Sequence, residues 1–205
     1  MKSFFFLLLA AVVIVFCSAT TVTRKKAEVV SHQIFDELLK EHVDAEGFVD
    51  YKGFIRDSVE FREYLNLLRD NPPAKNWSDD DIMAYWINVY NAYTIDIVIR
   101  NYPVKSIKDI GPKRSIPFVN TVWDIKFINI GGEMFDLNNV EHGVLRKTYD
   151  DYRIHFAVNC ASYSCPPLRA EAFVGARLQE QLDEQGRAFV NDPKRNRVMQ
   201  NKLEL

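Results

Sequence analysis

Along most of this chain apolar residues recur three and four positions apart, and two apart only in short pieces, so the pattern predicts helices with a little sheet. Ile34, Phe35, Leu38 and Leu39 keep helical spacing behind Ser31, which can cap a helix ending near His42. Residues 44–47 read as a turn and 47–51 as a short extended piece. Ser58 then opens an amphipathic helix carrying Phe61, Tyr64, Leu65 and Leu68, which Asn71-Pro72-Pro73 stops.

The helix expected over 81–100 differs from these because it is apolar on nearly every side, with Ile82, Met83, Trp86, Ile87, Val89, Ile95, Ile97 and Val98. Such a helix belongs in the middle of the fold. Ser78 with Asp81 three positions on is a variant capping box, and the acidic run at 79–81 suits a helix N-terminus. Asn88, Asn91 and Thr94 make a narrow polar stripe on it. Buried amides need partners, so these either bond loop backbone or line a site.

Residues 104–120 read as an irregular loop around a short turn. Over 122–130 apolar and polar residues partly alternate, Gly131-Gly132 permits a tight hairpin, and Met134-Phe135 begins the return strand. Asn138 with Glu141 resembles a capping box opening a helix over 139–148. On it His142 lies in the first turns, where the helix dipole disfavours imidazolium, with Arg146 one turn further on. A neutral imidazole is what a base or ligand requires. Residues 171–190 read as a last amphipathic helix, with Phe173, Leu178, Leu182 and Phe189 near one face. The expected architecture is one α+β domain, mostly helical, with a buried central helix and a small antiparallel sheet.

The stretch RIHFAVNCASYSCPPL at 153–168 gathers one of the four histidines and two of the three cysteines. Ile154, Phe156 and Val158 predict a strand that delivers Cys160 to a polar loop ending at Cys165 and two prolines.

Composition changes the picture in two respects. At 205 residues, 26% charged and 47% hydrophobic, the chain can bury a proper core, and its formal charge of -2 without a long basic run excludes an electrostatic footprint for nucleic acid. Lys2 followed by an apolar segment and Cys17-Ser18-Ala19 reads as a cleavable secretory signal over 1–19, ahead of a polar leader over 20–30 and the domain over 31–205. Acylation of Cys17 as a lipoprotein would need small residues where Val15 and Phe16 stand. The expected location is therefore secreted or periplasmic, with no stable membrane span once the signal is removed. Two cysteines then remain in an oxidising compartment, where a disulfide is the default.

Five stretches together resemble one family: HVDAEGFVDYKGF at 42–54, AYWINVYNAYTI at 84–95, NYPVKSIKDIG at 101–111, NNVEHGVLR at 138–146 and the cysteine stretch itself. The chain is similar to the DUF547 family, a domain of unknown function, which in turn resembles papain-like or transglutaminase-like cysteine enzymes more distantly. The resemblance implies a further helical segment after the position of Leu205. It also implies that Cys160 is the better candidate for chemistry, since plant members carry serine where Cys165 stands, and that the fold does not need a Cys160–Cys165 bond.

A cysteine nucleophile needs a basic or cationic neighbour. In a regular strand His155 and Cys160 point to opposite faces, so the base would be His142 or, where the strand ends early, His155. Asn88 or Asn91 would orient the imidazole or donate to an oxyanion, and Glu141 has a capping role available. Three other arrangements compete. One is a structural disulfide in a non-catalytic binding domain. Another is a redox dithiol, disfavoured by the C-x4-C spacing. The last is zinc held by His142, His155, Cys160 and Cys165, whose spacing fits no common motif. His32 and His42 are expected on the solvated face of their helix. No cofactor pocket is identified, and the substrate is an unspecified small molecule or peptide.

Overall fold

The structure is a computed structural model and describes residues 28–111, 121–199 and 202–204. The expected secretory segment with Cys17, the leader up to residue 27 and residues 112–120 lie outside the described residues.

The centre of the fold is the long helix Asp79–Arg100, buried from Met83 to Val98. Before it in the chain come α1 (Gln33–His42), α2 (Tyr51–Arg56) and α3 (Ser58–Asp70), so the central helix is α4; α2 and α3 pack against it, and α1 packs on those two. A π-helix (Asn139–Leu145) running into α5 (Arg146–Thr148), then α6 (Ile154–Ala157) and α7 (Leu178–Val190), complete the helical part. Phe35, Phe54, Phe61 and Tyr64 fill the space on the α1–α3 side, and Phe173, Leu178 and Leu182 belong to the same core. The domain is α+β and mostly helical, as the pattern predicts.

At the start of α4 the Ser78 hydroxyl accepts the Asp81 N–H at 3.1 Å and donates to the Asp81 carboxylate at 2.6 Å. Replacing Ser78 by alanine is expected to lower unfolding free energy by about 1 kcal/mol, measured as a shifted urea midpoint at constant slope.

The hairpin at 128–135 forms as expected. Ile128 of β1 (Ile128–Ile130) pairs with Phe135 of β2 (Glu133–Phe135), and Gly131 and Gly132 take φ of 61° and 89° in the turn. Positive φ at both central positions matches the twist of the flanking strands. A second antiparallel hairpin joins β3 (Arg197–Met199) to β4 (Lys202–Glu204), where the sequence predicts no element.

Several expectations are corrected. The stretch before Cys160 is not a strand but α6, because its deepest residues are Ile154, Ala157 and Val158, spaced for a helix face. Phe156 lies against Gly186 of α7, where an added Cβ would sit 3.2 Å from the ring. The last helix begins at Leu178, not at 171. Side chains from other elements hold the backbone of 172–174 extended: Asp36 accepts the Ala172 N–H, Asn88 takes both polar groups of Phe173, and Gln181 accepts the Val174 N–H. Residues 122–124 form a 3₁₀ turn rather than part of a strand, and α2 has no counterpart in the pattern.

His32 and His42 are buried, not solvated. His42 falls one turn beyond Leu38 on the apolar face of α1, where its Nε2 donates to Asp57 at 2.6 Å. His32 precedes that helix and bonds the Tyr64 hydroxyl through Nδ1 at 2.8 Å. Imidazoles with partners tolerate burial, and periodicity alone does not reveal the partner.

Candidate functional site around the cysteine loop

Cys160 and Cys165 are joined by a disulfide with Cα atoms 6.1 Å apart, closing a short loop between α6 and the extended segment before α7. The loop is anchored at its base by α4. Asn91 Nδ2 donates to the Ala157 carbonyl at 2.9 Å, and its Oδ1 accepts the Asn159 N–H at 2.9 Å. Asn159 in turn spans the loop, donating to the Pro166 carbonyl and accepting the Ala161 N–H. On the far side Gln185 of α7 donates to the Pro167 carbonyl at 2.6 Å. The turn at Gly47 approaches so closely that an added Cβ would lie 2.9 Å from the Leu168 nitrogen.

Both central amides are thus occupied by backbone. Asn88 treats Phe173 as Asn91 treats residues 157 and 159, donating at 2.7 Å and accepting at 3.0 Å. Asn88 is fully buried, and each clamp ties α4 to a segment more than sixty residues away. The Thr94 hydroxyl, third in the predicted stripe, is buried with no such partner among the described residues.

Ala161, directly after Cys160, has φ of 55°. A residue with a Cβ rarely adopts that conformation, and here it is maintained by the Asn159 bond and by packing of Ala161 against the cluster containing Ile97 and Val98. Backbone strain therefore sits next to one of the two sulfur-bearing residues.

A second set of polar groups lies on the π-helix, α5 and α6. A π turn carries hydrogen bonds from residue i to i+5, and here the Arg146 N–H donates to the Glu141 carbonyl. The wider turn also lets the Arg146 side chain reach Glu141 Oε1 through Nε at 3.0 Å. The expected capping box is absent: Asp136 accepts the Asn139 N–H, while Asn138 donates to Asp124. Arg146 then extends to His155, its Nη2 donating to Nδ1 at 3.3 Å. Guanidinium has no acceptor, so His155 accepts at Nδ1 and carries its ring proton on Nε2. The His155 ring meets Phe156 and Phe189 edge-on.

Inside this set, Tyr90 of α4 is almost wholly buried beneath Glu141. Burial raises its hydroxyl well above the ordinary range, the Glu141 carboxylate adds to that, and Trp123 and Arg146 oppose it. Tyr90 is a hydrogen-bond donor at neutral pH. Neither Tyr90 nor the central part played by Arg146 was evident from spacing, because a pairing five residues apart fits no α-helical face. His142 is exposed beside this set.

Of the residues expected at a site, the structure brings Glu141 and His155 together through Arg146. It places Asn88 and Asn91 under the extended backbone and pairs Cys160 with Cys165. The proposed zinc ligands are not gathered: among the described residues the groups able to share an ion are Glu41, His42 and Asp57, within 4.8 Å of one another. Among the described residues no helix is long and apolar enough to cross a membrane.

A family model described as a protein of unknown function, DUF547, matches residues 74–190, which include α4, the π-helix, the cysteine loop and α7. No curated protein and no solved structure matches the chain.

Proposed function

The chain belongs to the DUF547 family, and from that premise we propose that it is an extracytoplasmic binding domain in which the Cys160–Cys165 disulfide braces the loop between α6 and α7. The pairing of the two sulfurs with each other carries this reading. Two further observations support it: the Asn88 and Asn91 amides hold backbone rather than face a reacting group, and the histidines expected as bases do not form a metal-ligand cluster with the cysteines. Secretion rests on the signal-like composition of residues 1–19.

The test is alkylation of the purified mature protein before and after reduction, read by peptide mass. Cys160 and Cys165 should alkylate only after reduction. A thiol at either position that alkylates quickly below pH 7 would sink the reading. Closing a loop with a sequence separation of 5 restricts the unfolded chain modestly, so reduction should cost about 2 kcal/mol. Urea unfolding of the Cys160→Ser/Cys165→Ser variant, compared with the oxidised protein, measures that loss.

A second reading is favoured by the strained Ala161 beside Cys160 and by the Glu141–Arg146–His155 chain on the neighbouring elements. In it the protein is a thiol-dependent hydrolase or acyltransferase acting on amides, with Cys160 as nucleophile once reduced and His142 or His155 as base. It requires amide turnover that appears on reduction and disappears in Cys160→Ala. Turnover persisting in Cys160→Ala excludes it.

A further inference from the structure

A cavity of about 740 Å³ opens between α3, α4 and β1, and none of its lining residues belongs to the cysteine loop. Its polar side is unusual in being rich in donors. Arg62 and Arg69 lie seven residues apart on α3 with Asn66 between them, and Tyr93 and Arg100 lie seven apart on α4. Both pairs therefore face the same cleft.

Most of this charge is already matched. Arg100 binds Asp96 through Nε at 2.8 Å and Nη2 at 2.7 Å, and Asp96 is the one carboxylate in the lining. Arg69 binds Asp70 through the same two nitrogens at 2.7 and 2.9 Å. Arg62 is left over. Its guanidinium acts on Asp96 only through space and makes no hydrogen bond or ion pair with the described residues.

Tyr93 is nearly buried, and burial pushes its hydroxyl up to about 12. It stays protonated at neutral pH and can donate into the cleft. Ile99 and Phe127, both partly exposed, supply apolar surface in the same cleft. A planar guanidinium with no protein acceptor matches a carboxylate or phosphate in two-point fashion. A mostly apolar wall with a few convergent donors is the ordinary makeup of a small-molecule pocket.

We propose that this cavity binds a small amphipathic oxyanion, its charged head on Arg62 with Tyr93 and Asn66 beside it, and its apolar body against Ile99 and Phe127. The proposal is independent of the state of the cysteines, because alkylation reads the loop and ligand titration reads the cleft.

The test is calorimetric titration of the full chain with phenyl phosphate, phenylacetate, inorganic phosphate and benzyl alcohol. The expected result is saturable binding of at least one aromatic anion, at least tenfold tighter than either benzyl alcohol or inorganic phosphate, and weakened by added salt. Whether phenyl phosphate or phenylacetate binds better distinguishes a phosphate ligand from a carboxylate one. Arg62→Gln should weaken binding at least tenfold without lowering the melting temperature, since Arg62 is exposed and bonds nothing among the described residues. Tyr93→Phe should weaken it by a smaller factor, and Arg187→Gln on α7 should leave it unchanged. Binding of benzyl alcohol as tight as that of the anions, unchanged affinity in Arg62→Gln, or no saturation by about 10 mM, which is weaker than about 3 kcal/mol of binding free energy, would each overturn the proposal.

Discussion

Replacing Asn88 by alanine is expected to cost about 4 kcal/mol of unfolding free energy, one of the largest losses available to a single polar substitution in this fold. Asn88 is fully buried in the middle of α4, and its amide satisfies both polar groups of Phe173. Alanine would leave a buried N–H and a buried carbonyl without partners, and it would open a small void. Each orphaned group costs about 1 to 3 kcal/mol, and the void adds to that. Urea unfolding should show a lower midpoint at unchanged slope, with secondary structure retained below the transition. A loss under about 1 kcal/mol would mean that water replaces the amide and that Asn88 does not hold the 172–174 segment.

The stability should also fall by about 3 kcal/mol as pH drops through the titration of His32. Burial holds its imidazole near a pKa of about 4 against an ordinary value of 6.5, with Asp81 partly opposing the shift. The folded protein therefore keeps His32 neutral while the unfolded chain takes up a proton. The contribution is complete above pH 6.5 and is lost progressively as pH falls to about 4. Paired carboxylates titrate at the lower end of that window, so the comparison is with His32→Asn, whose amide can still meet the Tyr64 hydroxyl. The variant should show a flatter decline of the urea midpoint across the window. Equal slopes in the two proteins would remove His32 as the cause.

These two residues illustrate different kinds of legibility. That α4 would be central followed from composition alone, because a helix apolar on every side has nowhere stable but the interior. Asn88 and Asn91 could be placed on it as a polar stripe, and their need for partners could be stated. Which backbone they would bond could not, since the partners lie 85 and 66 residues away in sequence. His32 and His42 differ in the opposite direction: the helix that carries His42 and follows His32 is as expected, but the partners that bury them, Tyr64 and Asp57, come from α3 and the residue preceding it.

The cysteine stretch shows where local pattern misleads. Alternation at Ile154, Phe156 and Val158 predicts a strand, yet Ala157, which that strand would turn to the other face, is buried with Ile154 in a helix packed on α7. With that, the geometric reason for separating His155 from Cys160 falls away. What occupies His155 instead is Arg146, brought within reach by a π turn that no α-helical periodicity contains.

Sequence by itself determined the helical class, the central helix, the Gly131-Gly132 hairpin and the family, because each rests on residues close together or on motifs read in order. Tertiary structure alone decided the Asn88 and Asn91 clamps, the Glu141–Arg146–His155 chain, the approach of Cys160 to Cys165 at disulfide distance, and the cleft around Arg62. All four depend on groups that chain folding brings together or leaves unmatched. A buried donor's partner, or an exposed cation's lack of one, is a property of three-dimensional packing rather than of spacing along the chain.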